Sequence, residues 1–358
     1  MKKKILCGVL SLCMLGSLLC ACSENVTSGR YDYDLSEYVE LKEWKNVKAT
    51  YRETGVCTEE EIDEILFQVM LTYADFEKKE GKAELYDQVL CDYKIFYEGT
   101  ELEEYTQSSY AIVLGSDNNG DIDRMLSVKL LGAEVGAEAS VEYTFPEDDA
   151  SIGSWAGMTV TCQVKVTGVC EPLVPECTDE FVQALGNGFP TVADFREQLR
   201  QDIIEQKETF KAEAVSAAFL DGVTVKKYPE QELESYRLAY LEQIVTAAEE
   251  MGVEYSEYLK DYLNTTEAEI NKAAQKDAET RVKNDLACIY ASRLWETKLT
   301  EKEYEQSLEA YYEEYRDQFE SKEDFETYFG KGVLWESFVW DKTFRSILEN
   351  AVRLEPKE

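Results

Sequence analysis

The spacing of apolar residues changes several times along this chain. Ile5 to Leu19 is an uncharged apolar run behind Lys2, Lys3 and Lys4. Residues 23–45 are polar with scattered tyrosines, as a flexible tether would be, and Val47 to Tyr51 reads as a short β-like piece. A Thr58–Glu61 capping box then precedes Ile62, Ile65, Leu66, Val69, Met70 and Tyr73 at helical spacing, which predicts a helix ended by Gly81. Between Leu85 and Val169 the period is that of short strands, at 89–97, 110–114, 140–145 and 158–169. Glu98-Gly99 and the 115–120 stretch supply turns, and Met125 to Leu131 reads as a short helix closed by Gly132. Beyond Pro172 and Pro175 the pattern is helical. One helix runs from Thr191 to about Leu220 and another from Pro229 to Met251, before Gly252. Helical stretches follow at Ser256 to Leu263 and Thr266 to about Lys298. A Thr300–Glu303 capping box opens a helix to Phe319, and Ser321 starts the last region.

The N-terminal run ends in Leu19-Cys20-Ala21-Cys22, an aliphatic residue and two small ones before a cysteine, which fits a bacterial lipobox. The run is short for a membrane span and reads as a secretory signal. Residues 1–21 are therefore expected to be a lipoprotein signal peptide, with Cys22 acylated through a thioether and residues 22–45 a lipidated tether. The expected location is the outer face of the bacterial cell membrane.

Charge and chemistry narrow the picture further. The formal net charge is −36, which argues against nucleic acid and against peripheral binding to anionic lipid. Histidine is absent, so Ser-His-Asp and Cys-His nucleophilic systems and HExxH zinc sites are excluded. No Walker loop and no GxGxxG after a strand is present, and no cofactor is expected. The acidic Glu147-Asp148-Asp149 turn reads as solvated rather than as a metal site. Cys57, Cys91, Cys162, Cys170, Cys177 and Cys288 contain no CxxC pair, and both disulfides and buried thiols remain open. Cys91 and Tyr93, two apart on a strand, share a face.

Several strings resemble one family. TEEEIDEIL, the strand ending Cys91-Asp92-Tyr93, YAIVLGS, the segment Leu131 to Glu138, Tyr143-Thr144-Phe145-Pro146-Glu147-Asp148 and VTCQVKVTGV resemble, in order and spacing, the FKBP-type prolyl isomerase domain of trigger factor. Residues 175–350, through FREQLRQDI and LTEKEYEQSLEAYYEEY, resemble its C-terminal helical domain. The resemblance implies an α+β FKBP-like domain, an antiparallel half-barrel sheet wrapped on a short helix, followed by an all-α arm or cradle domain. The implied boundaries are 46–84 for the β-like segment and leading helix, 85–170 for the isomerase-like domain and 171–358 for the helical chaperone domain. The family's ribosome-binding domain has no counterpart, so ribosomes are not expected as partners. The implied partners are unfolded or nascent secreted polypeptides, gripped by arms whose Tyr236, Tyr240, Tyr255, Tyr258 and Tyr262 supply adaptable surface.

The resemblance also carries over a proline pocket: Tyr93, Leu102, Glu103, Tyr110, Leu126, Asp149 and Cys162. Leu102, Leu126, Asp149 and Cys162 stand where the family has aromatics. Tyr93 and Tyr110 are the aromatics retained, so weak isomerase activity or none is expected. If Cys162 faces the pocket beside Tyr93, a Cys91–Cys162 disulfide or two packed thiols would follow. The implied function is a membrane-anchored extracytoplasmic chaperone or foldase. The alternatives are an active prolyl isomerase proper, or a non-catalytic binding or adhesive lipoprotein on a chaperone scaffold.

Overall fold

A computed structural model of the chain describes residues 31–116, 120–146 and 155–355. The signal segment, Cys22 and the Glu147-Asp148-Asp149 turn lie outside the described residues. Two compact units emerge: residues 57–203, and residues up to 56 together with those from 204 onward. The boundaries drawn from sequence at 84/85 and 170/171 differ from this division. Ile62 and Leu66, on the leading helix, share a buried core with Val182, Phe195, Leu199 and Ile203, which joins 171–203 to that helix.

Residues 31–45 are not a loose tether, and the β-like stretch after them holds a strand. Val39–Leu41 (β1) pairs antiparallel with Val223–Val225, and Lys48–Thr50 (β2) pairs in parallel with Val352–Leu354. Tyr31, Leu35, Val39, Val47 and Ala49 are all buried in the core of the helical unit. The polar appearance of this stretch conceals tyrosines that bury their rings and bond their hydroxyls. Tyr31 donates to Asp285 Oδ2 at 2.8 Å, and Arg293 donates to the carbonyl oxygens of Tyr31 and Tyr33.

In the sheet unit, Glu59–Leu71 (α1) starts at the Thr58 capping box, as the sequence predicts, but stops ten residues short of Gly81. Asp75–Lys78 (β3) instead pairs with Cys170–Leu173. The last strand is long, and its end offers an open edge that outcompetes the helix-forming residues here. Gln88–Tyr97 (β4), Thr100–Glu101 (β5), Gln107–Val113 (β6), Glu138–Thr144 (β7) and Thr159–Leu173 (β8) complete an antiparallel sheet. β4 lies between β6 and β8, and β7 flanks β8. Gly168 stands opposite Leu90, where a Cβ would meet Leu90 Cδ1 at 3.2 Å. Asp121–Leu130 (α2) lays Leu126 and Leu130 against the sheet with Val89, Cys91, Val141, Cys162 and Val164. Asp179–Ala184 (α3), unanticipated in sequence, and the start of Val192–Asp221 (α4) complete the unit.

The helical unit continues through α4, Val223–Val225 (β9), Glu230–Met251 (α5), Glu267–Leu294 (α6), Glu301–Tyr315 (α7), Lys322–Phe329 (α8), Lys331–Asn350 (α9) and Val352–Leu354 (β10). α5 ends at Gly252, whose φ of 70° is the left-handed cap that glycine adopts without a Cβ penalty. α5 packs along α6, and Tyr236 on α5 is buried with its hydroxyl on Asp285 Oδ2 at 2.7 Å. Tyr236 is therefore a core residue rather than part of an exposed grip. Tyr258 and Tyr262 stack on each other in a π-helical turn, with ring centroids 5.7 Å apart. A second core joins Tyr304, Leu308 and Tyr311 of α7 to Phe325 and Phe329 of α8 and Phe338 of α9.

Candidate proline-binding site

One cavity of about 330 Å³ opens on the sheet unit, lined in part by Tyr93, Ile95, Leu126, Phe145 and Cys162. Tyr93 and Ile95 alternate along β4, and Cys162 lies beside Ile95 on β8 and beside Val141 on β7. A register shift between Cys91 and Tyr93 breaks the pairing of β4 with β6, and Asp92 there accepts the backbone N–H of Ser109 at 2.9 Å. Leu126, 1% exposed, closes the floor from α2.

Three of the residues carried over by resemblance thus meet at one cavity: Tyr93, Leu126 and Cys162. Tyr110 stands behind Tyr93, edge-on with centroids 5.0 Å apart and planes at 87°. Leu102 and Glu103 do not reach the cavity. Leu102 donates its backbone N–H to Ile95 O at 2.8 Å and leads into a single turn, Glu103–Tyr105, on which Glu103 is exposed. A short β5 pairs with the end of β4 just before this turn. Asp149 lies outside the described residues.

Sequence reasoning missed much of the wall. Tyr143 and Phe145 also line the cavity, with rings in edge contact at 4.9 Å. Phe145 meets Trp155 at 5.3 Å, and Trp155 meets Tyr105 edge-on at 5.0 Å. The aromatic character is therefore richer than Tyr93 and Tyr110 alone. The period-two series Val141, Tyr143, Phe145 was the available signal. Asp121 and Asp123 were missed as well, because the helix starts four residues earlier than Met125. Tyr143 donates to Asp121 Oδ2 and Tyr110 to Asp123 Oδ2, each at 2.7 Å.

Both thiols here are protonated at neutral pH. Burial, followed by the nearby Cys91 and Asp123, pushes Cys162 up to about 12, and burial pushes Cys91 up to about 11. Both are free thiols, close enough to influence each other's ionisation, so the disulfide alternative gives way to packed thiols. A protonated, buried thiol is a poor nucleophile and a poor metal ligand. Burial, then the Asp123 carboxylate, also raises Tyr110. The walls offer an apolar surface edged by the carboxylates of Asp121 and Asp123. Rotation about an X-Pro bond needs neither nucleophile nor base, only relief from a barrier of roughly 18–20 kcal/mol.

The trigger factor of Streptococcus mutans is 25% identical over 282 residues, covering 78% of this chain and 65% of that protein. Those of Caldicellulosiruptor bescii and Caldicellulosiruptor saccharolyticus are 27% and 26% identical, covering 75% and 87% of this chain. The chain is similar to trigger factors over most of its length. It spans 57–65% of the trigger factors of S. mutans, Limosilactobacillus fermentum and Limosilactobacillus reuteri. A solved trigger factor chaperone, described for promiscuous substrate recognition in folding and assembly, matches 87% of this chain at 17% identity and a TM-score of 0.35. No family model matches the chain.

Proposed function

We propose that this protein is a folding chaperone held by lipid at Cys22 on the outer face of the bacterial cell membrane. Its partners are unfolded secreted polypeptides rather than ribosomes. The observation that carries the reading is the similarity to trigger factors, which runs through both units rather than through an isolated module. The surface of the helical unit supports it. Leu238, Leu241 and Val245 recur at i, i+3 and i+7 on α5 with Leu238 half exposed, and Phe210, Met251 and Tyr262 are each at least half exposed. Such apolar positions set among many acids suit weak contact with varied clients, while the like charge keeps complexes apart. Anchoring rests on the lipobox and its basic, apolar leader.

The test is light scattering of an unfolded client diluted with stoichiometric full-length protein. Suppressed aggregation is expected, and unchanged aggregation would reject the chaperone reading. Anchoring is tested separately: metabolic labelling with an alkynyl fatty acid should mark the wild-type chain and fail in C22A. A second reading, an active prolyl isomerase, draws on Phe145 in the cavity wall and Trp155 behind it. An isomerisation assay on proline peptides discriminates. Slow turnover, within a few-fold of the uncatalysed rate, is expected because Leu126 and Cys162 leave the floor and one wall without rings.

A further inference from the structure

We propose that a cavity of the helical unit, between the end of α6 and α9, binds a small apolar molecule carrying a single carboxylate, with Trp340 Nε1 and the Lys298 ammonium as the donors that hold it. The site lies outside the proposed function and does not depend on it.

The cavity measures about 290 Å³, close to the lower end of the roughly 300–1,000 Å³ found for small-molecule pockets. Ile289 of α6 and Val339 and Trp340 of α9 give it apolar walls. Its hydrogen-bonding capacity is lopsided. Backbone acceptors of the lining residues are already used: Ser292 Oγ donates to Cys288 O at 2.8 Å, Thr343 Oγ1 to Val339 O at 2.9 Å, and the Thr297 N–H to Ser292 O at 3.1 Å. Lys298 O accepts from Lys342 Nζ at 2.8 Å. Donors are left over. Trp340 is 1% exposed, and its Nε1 is buried with no acceptor among the described residues. The Phe219 and Phe344 rings beside it, with centroids 5.6 and 5.5 Å away, are carbon and cannot accept. A buried N–H without an acceptor is costly, so an acceptor brought into the cavity is favoured. Lys298, exposed and lining the same cavity, has no ion-pair partner among the described residues. Arg293 is already committed, because its guanidinium donates to the carbonyl oxygens of Tyr31 and Tyr33. Leftover donors beside apolar walls call for a ligand that accepts, and the uncommitted cation makes a carboxylate the strongest acceptor. Glu296 and Glu336 also line the cavity and balance Arg293 and Lys298 in charge. A second negative charge on the ligand is therefore disfavoured, which excludes phosphates and dicarboxylates.

The experiment titrates the full-length chain, carrying isotopically labelled tryptophan, with phenylpropionate and follows the indole N–H signals by NMR. W340F identifies which of the five belongs to Trp340. That signal should move saturably, at millimolar concentrations or below, while the signal of Trp155 in the sheet unit stays in place. Phenylpropanol, which keeps the ring and loses the charge, should bind roughly three- to tenfold more weakly. Phenylsuccinate, with its second carboxylate, should also bind more weakly than phenylpropionate. K298M should bring phenylpropionate down to the level of the alcohol, and V339W, which fills the cavity, should abolish binding. A short peptide ending in phenylalanine, as the free acid and as the amide, separates two sources of this chemistry. Tighter binding of the peptide acid than of phenylpropionate assigns the site to chain ends, and weaker binding assigns it to free small acids. An unmoved Trp340 signal, equal affinity for acid and alcohol, or undiminished binding in K298M would overturn the inference and leave the chaperone reading intact. Should W340F or V339W fail to fold, calorimetry with acid and alcohol on the unmodified chain and on K298M, a surface change, still decides.

Discussion

The two units solve the problem of making a core in opposite ways. The sheet unit uses one uninterrupted stretch, 57–203, and its longest pairing joins β4 to β8. The helical unit is assembled from both sides of that insertion. Tyr31 reaches Asp285, 254 residues away, and β2 pairs with β10 across about 300 residues. The continuous unit can collapse on itself, whereas the helical unit must first close a long loop and gains its core only afterwards. The proposed roles divide along the same line. The continuous unit holds the cavity walled by Tyr93, Tyr143 and Phe145, and the discontinuous unit offers helix faces with scattered exposed apolar positions.

That contrast breaks most sharply on deletion of residues 31–51. The helical unit would lose Tyr31, Leu35, Val39, Val47 and Ala49 from its core together with the partners of β9 and β10. At about 1.5–3 kcal/mol for each large buried side chain, the loss matches a domain's whole stability. Hydrogen exchange should show residues 204–355 unprotected while 57–203 remains protected, and equal loss in both would erase the distinction. Leu126→Ala attacks the other unit, where it opens the floor of the cavity, and should cost about 2–5 kcal/mol. Hydrogen exchange should show the lost protection in 57–203 and not in 204–355. Asp285→Ala leaves the buried hydroxyls of Tyr31 and Tyr236 without their carboxylate and should cost roughly 3 kcal/mol in the helical unit. Tyr31→Phe should cost about 1 kcal/mol, and denaturant melts of both variants provide the check.

The smallest expected effect is a pH dependence. Lys342, then the backbone N–H and hydroxyl of Thr300, hold Glu303 well below its ordinary 4.5, at about 2. Its folded value is depressed, so its contribution is complete above about 4.5 and fades as pH falls toward 2. Thermal melts across that window should lose less stability in Glu303→Gln than in the wild type. An identical pH profile would show that the α7 cap does not couple to folding.

Local signals were legible where the chemistry is local. The capping boxes at Thr58 and Thr300 open α1 and α7 with side chain and backbone exchanging bonds within three residues. β4, β7 and β8 declared themselves by alternation and aromatic or branched residues. What escaped was set from far away. Asp75–Lys78 became a strand because β8 ran on to Leu173, and nothing in its own residues announced that edge. Residues 31–45 looked like a tether because polar tyrosines disguised a buried strap, whereas the β-like reading of Val47 to Tyr51 met a strand at Lys48–Thr50. The site followed the same rule. Tyr93, Leu126 and Cys162 converged as the resemblance implied, but Leu102 and Glu103, after the short β5, do not line the cavity. Asp121 and Asp123 entered because α2 begins at Asp121, a boundary that periodicity alone did not locate.

The central claim is that this molecule handles many unfolded chains rather than one dedicated ligand. Photo-crosslinking in intact cells, with a photoreactive residue at Leu238 on the outer face of α5 and identification of the captured proteins, tests it most directly. A broad set of unrelated secreted polypeptides is the expected catch. Capture of a single dominant partner, or of cytosolic proteins only, would contradict the account.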